Sequence, residues 1–442
     1  RQRQMCIRDR SIPAYNKDRL EVFTRVVREC GDVGMFHFGP FPIIMFNSPK
    51  FVHSILVEHT YDFDKGVTMH NAFEPLIGKG LFISEGAFHR QQRKLMAPSF
   101  QPKQIQSYAD TMVQYGKRLQ ETWQDEEVVD IGREMTHVTM SIVGKVLFDA
   151  DVFTEADELG AAMTALLERA NYALSHLFPI PLSWPTSRNK RVKRAIALLR
   201  KRLQQMIDER RASNEEKNDF LSILLNTRGE DGSRMSDQQV MDEAVTLFGA
   251  GHETTATALT WAWYLLTQNP DVYSRLQQEV DTVLQGRSPT YADLTNLPYA
   301  LQVFKETMRL YPPAYAISRV ALHDIDLDGY YVRKNQTVGV CSYTMHRRPD
   351  YFPDPERFDP ERFTPENEKR LPRYAYFPFG AGPRICIGNH FAMMEGHLLL
   401  ATLAQRVTFE LVPGQRIVPD PNKTITLRPK YAMKMVVRRR IG

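Results

Sequence analysis

The stretch from Ser236 to Asn269-Pro270 places the tightest limit on how this chain can fold. Ser236 is suited to cap a helix start and Asn269-Pro270 to stop one, with more than thirty residues between them. Ordinary helices average about a dozen residues. One this long is expected to cross the whole molecule, so the rest of the fold must be arranged around it.

The flanking patterns suggest a mainly α protein with small β-sheets. Residues 32–46 alternate around a Gly39-Pro40 turn and read as a hairpin, followed by a helix start capped by Ser48. From about Gln101 to Gly286 the pattern is mostly helical, with no repeat and no low-complexity linker. Within it, residues 188–211 are rich in Arg and Lys. Val192, Ile196, Leu199, Leu203 and Met206 recur there at helical steps, so the basic residues form a solvated helix face rather than a nucleic-acid surface. "LQVFKETMRLYPP" is a shorter helix ended by Pro312-Pro313. Short strands are expected in "DIDLDGYYVRKNQTVGVCSY", "TFELV", "KTITL" and "MKMVV". The proline-punctuated segment 347–379 is a long loop, of a kind that is usually functional.

With 43% hydrophobic residues, the 442-residue chain can bury a large core. Its net charge of +5 comes from the ends: residues 1–10 carry +3 and Arg438, Arg439 and Arg440 another +3, leaving the body at −1. That removes any whole-protein argument for nucleic acid. Residues 1–10 read as a non-native or disordered leader, and 11–442 as a single domain. There is no apolar run of membrane length, and the four cysteines are sparse and scattered. A soluble cytoplasmic protein without a membrane anchor is expected.

None of Cys6, Cys30, Cys341 and Cys386 has a partner at Cys-x-x-Cys spacing. Cys386, in "FPFGAGPRICIGN", is open to three readings: a small buried hydrophobe, half of a long-range disulfide, or a single thiolate ligand. Its surroundings favour the last. Helical period begins just after it, where free amides and the helix dipole favour a thiolate. Gly382 and Gly388 let backbone approach something flat and large, Arg384 offers a cation for an acidic group on it, and Phe379 can shield the sulfur. The whole pattern, Phe379-x-x-Gly382-x-Arg384-x-Cys386-x-Gly388, closely resembles the signature of the thiolate-ligated cytochrome P450 family.

Three further stretches extend the resemblance, in the family's order, over residues 32–440. "AGHETT" resembles the oxygen-binding segment. The resemblance implies that small Ala250 and Gly251 leave room for dioxygen, and that Glu253 and Thr254 form an acid–alcohol pair delivering protons. It also implies that Glu306 and Arg309 of "KETMR" bond the arginine of a later Pro-Glu-Arg-Phe. That motif occurs twice, and the spacing of the second copy nominates Arg362 for a purely structural triad. "EGAFHRQQRKLMAPSF" resembles the family's Trp-x-x-x-Arg helix but carries His89 in the tryptophan's place. His89, Arg93, Arg319 and Arg384 are then the candidates for heme propionates. By position, Phe73, Leu76, Ile77, Phe248, Ala250, Ala314, Ile317 and Ile425 line the substrate pocket.

Taken together, the resemblance implies a monooxygenase with heme b and Cys386 as axial iron ligand. It would insert one atom of O2 into a hydrophobic substrate (a fatty acid, terpenoid or steroid-like molecule) by hydroxylation or epoxidation. Electrons would come from a separate ferredoxin or flavodoxin with its reductase, and the chain would act as a monomer. One alternative is a peroxide-driven peroxygenase, against which the intact Glu253-Thr254 pair speaks. The other is a non-oxidising heme-thiolate ligand sensor, which would not consume NAD(P)H.

Overall fold

In the computed structural model, which describes residues 12–213, 219–227 and 234–440, the long helix runs Asp237–Gln268. The leader expected at residues 1–10 lies outside the described residues. Ser236 Oγ accepts from Gln239 N at 3.2 Å while Gln239 Oε1 accepts from Ser236 N at 3.1 Å, so two first-turn donors are satisfied reciprocally. At the far end Pro270 begins the next helix, and Asn269 leaves helical geometry. The helix has 32 residues, which at the α-helical rise make about 48 Å. It is buried on almost every side, with Trp261 and Trp263 fully enclosed, as its all-round apolar sequence requires. Helices Ile131–Phe148, Pro298–Leu310 and Asn389–Arg406 pack against it. The basic stretch forms the amphipathic helix Ser187–Ala212, with Val192, Leu199, Leu203 and Met206 buried.

The larger sheet has five strands in the order Val33–Phe38, Phe41–Phe46, Thr337–Val340, Ile317–Ala321, Phe63–Asp64. The hairpin turns at Gly39-Pro40 with Phe38 facing Phe41, and Phe41–Phe46 runs parallel to Thr337–Val340. A three-stranded sheet joins Val128–Asp130, Lys434–Arg439 and Val407–Leu411. Val128–Asp130 falls in the stretch read as mostly helical; three residues are too few to show a period. The expected strand at "KTITL" does not form. Thr424 and Thr426 both turn inward, with Thr424 Oγ1 donating to Thr426 O at 2.9 Å and Thr426 Oγ1 to Glu253 at 2.6 Å. The Thr-Ile-Thr alternation thus reflects buried polar contacts, and the ladder is made by Arg428–Pro429 against Pro419–Asp420.

The protein is therefore mainly α with small β-sheets, the helices surrounding one central helix. Among the described residues no helix is long and apolar enough to cross a membrane.

Candidate active site

Cys386 lies three residues before the helix Asn389–Arg406, at the end of a short 3-10 turn, Gly382–Arg384. Its N–H donates to Phe379 O at 3.0 Å, which closes the loop and fixes the direction of the side chain. Cys386 is in no disulfide and its side chain is exposed. The protein around it still pushes the thiol above its ordinary value, opposed by the Gly388 N–H and the Arg93 charge. Phe379 is half-buried against the main core. Gly382 answers to the protein rather than to any flat ligand: it has φ +68°, and a Cβ there would meet Leu56 O at 2.0 Å. A Cβ at Gly388 would touch only Phe100, at 3.8 Å.

The long helix carries the second group of candidate residues. Ala250 is exposed in a helix otherwise almost wholly buried, and one turn on the Thr254 hydroxyl donates to Ala250 O at 3.2 Å. Glu253 points elsewhere. It is buried, accepts from Thr426 Oγ1 and Arg428 Nε, each at 2.6 Å, and pairs with Arg428 Nη2. Burial pushes its carboxyl up, but the Arg428 charge and hydrogen bonds outweigh burial, so it sits below the ordinary range. Glu253 and Thr254 are thus neighbours in sequence whose side chains meet different groups. Gly251 also has a packing role: a Cβ there would come within 3.0 Å of Val143 on the adjacent helix.

Among the expected pocket residues, Ala314 is exposed and Ile317 and Ile425 are half-buried, while Phe73, Leu76 and Ile77 are buried in the helix Gly66–Ile77. Phe248 is not in a lining position. It is fully enclosed, with its ring 5.7 Å from Phe148, because two helical residues turn it about 200° away from Ala250.

A cation cluster adjoins the cysteine loop. His89 and Arg93 share one face of the helix Gly86–Met96; Arg319 comes from the large sheet and Arg384 from the cysteine loop. A fifth member, Lys65, was not expected. Burial, then the charges of Arg384, Lys65, Arg93 and Arg319, pull His89 down to about 3, leaving the imidazole neutral. Burial and the charges of Arg319 and Arg384 bring Lys65 down to about 7, and similar causes bring Arg319 to about 10. Among the described residues, the carboxylates beside these four cations are Glu85 and Asp64. Glu85 pairs with Arg384 and accepts from Lys65 N at 3.0 Å, and Asp64 lies beside Arg319. The cations outnumber these carboxylates, by between one and two charges as Lys65 titrates, beside a cleft of ≈ 570 Å³ whose lining includes Asp64, Glu85, His89, Arg90, Arg93, Lys94 and Arg384. A ligand with two carboxylates, such as heme, would offset that excess. The donor set therefore fits heme: one thiol in the loop that also carries Arg384, and an excess of cations over carboxylates.

Glu306 and Arg309 are fully buried, with Arg309 Nε donating to Glu306 Oε2 at 2.6 Å and Nη2 to Oε1 at 2.9 Å. Arg362 Nε stands 3.5 Å from Glu306 Oε1. The structure thus brings together the three residues singled out, and the first Pro-Glu-Arg-Phe copy contributes only carbonyls, Pro355 O and Arg357 O, to Arg309. These contacts tie the loop 347–379 to the helix Pro298–Leu310. Arg309→Met should leave Glu306 buried without its main partner and cost about 3 kcal/mol of stability. Thermal unfolding checks this, and an unchanged melting temperature would mean that the loop is held by other contacts.

Lys65, Thr426 and Arg428 have no local sequence signature; each acts through a partner far along the chain.

The model of the family described as Cytochrome P450 matches residues 11–436. Cyclooctatin synthase from Streptomyces melanosporofaciens is 36% identical over 402 residues, 90% of this chain and 87% of that one. Pentalenene oxygenase from Streptomyces avermitilis is 30% identical, over 92% and 91% of the two chains. The solved structure of retinoic acid bound cyanobacterial CYP120A1 superposes with TM-score 0.84 at 26% identity, covering 94% of this chain and 93% of that one.

Proposed function

The chain belongs to the cytochrome P450 family and is a monooxygenase with cysteine-ligated heme iron, and from that premise we propose that Cys386 is the ligand, heme b the cofactor and a hydrophobic terpenoid the substrate. The observation that carries the site assignment is the excess of cations over carboxylates beside the Cys386 loop. The substrate class is supported by relatives whose names include cyclooctat-9-en-7-ol 5-monooxygenase and pentalenene oxygenase. The apolar, accessible Ala250, Ala314, Ile317 and Ile425 suit such a molecule. Residues 11–442 act as one domain, and electrons come from a separate ferredoxin or flavodoxin with its reductase.

Bound heme supplies the dioxygen-activating chemistry, with thiolate donation from its cysteine ligand. The chain does the rest. Lys65, His89, Arg93, Arg319 and Arg384 hold the propionates, apolar side chains exclude water and orient the substrate, and the Thr254 hydroxyl holds a proton beside Ala250. The experiment is to load the protein with heme, supply surrogate redox partners and count product from a panel of terpenoid hydrocarbons against NAD(P)H consumed. NAD(P)H consumption without any oxygenated product would sink the substrate class. A peroxide-driven reading draws on one observation, that Arg428 rather than Thr254 holds Glu253. Product from hydrogen peroxide alone, at the rate seen with reductases, would favour it.

The clamp has a pH signature. Two carboxylates beside Lys65 would restore its charge, so heme uptake should bind a proton wherever Lys65 is neutral beforehand. Its heme-free value of about 7 puts that window above pH 7. Affinity should therefore be flat below pH 7 and fall as pH rises above it, by up to about tenfold per unit. Lys65→Met should bind heme more weakly and remove the slope. His89→Ala and Arg93→Ala should weaken binding by about 1–3 kcal/mol and keep it. Titrating the heme-free protein across that range decides; a slope that survives in Lys65→Met places Lys65 outside the clamp.

A further inference from the structure

Two chain segments meet at the cleft beside the cation cluster: Thr60, Tyr61, Phe63 and Asp64 line it from one, and Leu322 from the other. Their backbone pairing is slight. The strand Phe63–Asp64 pairs Phe63 with Ala321 and Asp64 with Val320, a ladder shorter than strands usually run. Side chains continue the seam. Leu322 N donates to Asp62 O at 2.9 Å, and the Asp62 carboxylate takes one histidine on each oxygen. His59 Nδ1 stands 2.9 Å from Oδ2 and His323 Nε2 3.0 Å from Oδ1. The two histidines differ in what they require. His323 Nδ1 also lies 3.0 Å from Asp324 O, so both of its ring nitrogens face acceptors. A neutral imidazole carries one N–H, and only the imidazolium satisfies both contacts. The His59 contact needs a single proton, on Nδ1. The surroundings agree: the Asp324 carbonyl, then Asp62, raise the His323 value. Burial raises the Asp62 carboxyl, but the bonds from His59 and His323 outweigh it and hold it below the ordinary range. The Asp324 carboxylate accepts from Lys334 N at 2.8 Å and from the Tyr331 hydroxyl, beside Arg333. Arg90, from the helix Gly86–Met96, lies over the Tyr61 ring at 5.4 Å.

Resting on the reading that the cation cluster holds heme propionates, we propose that His59, Asp62 and His323 form a proton-dependent clasp on this seam, and that the protonation of His323 sets how fast heme enters and leaves through the cleft. With His323 protonated, the clasp ties the segment that carries Asp64 and Lys65 to the strand that carries Arg319. Once the proton leaves, one ring nitrogen turns a lone pair toward an acceptor oxygen. That contact is lost, and the strand Phe63–Asp64 frays from its neighbour. A histidine whose folded value is raised keeps its contacts below its ordinary value and loses them as pH rises through the folded one. The clasp is therefore closed below about pH 6.5 and opens as pH rises beyond it. It is the same with and without heme, so it changes uptake and release by equal factors. Affinity stays with the cations, and the clasp acts on rate. Because His323 is exposed, the change is modest, about two- to fivefold.

The test follows heme transfer from the full loaded chain to an excess of a heme-scavenging apoprotein, by absorbance, at about pH 6 and about pH 8. Release from the parent should be about two- to fivefold faster at the higher pH. His323→Phe should release heme at the faster rate at both pH values. His59→Phe should keep the pH dependence, because His59 is not the group that titrates. Release that does not change with pH in the parent, or that changes as much in His323→Phe, overturns the proposal. So does a pH dependence that disappears in His59→Phe and survives in His323→Phe. A second readout needs no heme: exchange of the Leu322 amide, corrected for the intrinsic effect of pH, read beside the His323 ring signals in an NMR titration. Protection of that amide should fall as His323 titrates, and should be low and flat in His323→Phe. Protection that stays constant through the titration refutes the clasp. A chain that takes up no heme counts against the active-site reading and ends the heme role, while the amide result still decides whether the clasp exists.

Discussion

Replacing Cys386 with serine should abolish the strongly red-shifted Soret band of the reduced, carbon-monoxide-bound protein and reduce oxygenated product to background. The two residues differ by one atom, but a serine hydroxyl is a hard, weakly acidic oxygen that does not ionise near neutral pH, whereas a thiol at this position can. The surrounding protein raises the Cys386 thiol by displacing water, and the Gly388 N–H and the Arg93 charge offset only part of that. A bound heme iron would favour the thiolate through its positive charge, which would link ionisation of the thiol to heme binding. Heme content should fall less than the band does, because the cation cluster lies outside the substitution and still balances two carboxylates. That split separates loss of the ligand from loss of the site. Cys341→Ser is the matched control: Cys341 is buried, and its thiol donates to Tyr315 O at 3.1 Å. A Cys386→Ser protein that keeps the band would assign the iron ligand to another residue.

What could be read from the sequence divides by how local the cause is. The long helix was legible because both ends carry their own punctuation, a Ser236–Gln239 capping box and a Pro270 stop, within a few residues of each boundary. The cysteine loop was legible because its pattern occupies ten consecutive residues. Lys65 was not, since its neighbours Arg319 and Arg384 lie more than 250 residues away and nothing in "DFDKGV" distinguishes it from a solvated lysine. Phe248 was placed in the pocket by its nearness to Ala250 in sequence, yet a helix sends residues two apart to opposite sides. Gly382 shows the same limit from another direction. Its glycine is required by the carbonyl of Leu56, a contact between segments more than 300 residues apart. The pairing of Glu253 with Arg428 is of that kind too, and it changes what the acid can do.

Because Arg428 holds Glu253 ionised, the contributions of Thr254 and Glu253 to proton delivery should separate experimentally. Thr254→Ala removes the hydroxyl next to Ala250 and leaves the buried ion pair untouched. It should bind heme and substrate normally and consume NAD(P)H at a comparable rate. Product per NAD(P)H should fall about tenfold or more, with hydrogen peroxide making up the difference. Glu253 enters through its ionisation state. A carboxyl held below the ordinary range is almost wholly deprotonated at neutral pH, so any step that needs its proton should quicken as pH falls toward its folded value. In Arg428→Gln burial is no longer outweighed, the Glu253 pKa rises, and the acid limb of the turnover profile should move to higher pH. Glu253→Gln should slow turnover by about a hundredfold and remove that limb, alone or combined with Arg428→Gln. The combination matters because Arg428→Gln by itself also loosens the turn around Thr426, which lowers activity without shifting a pH profile. An acid limb that persists in Glu253→Gln would take Glu253 out of the proton route and leave it as the anchor that ties the long helix to Arg428.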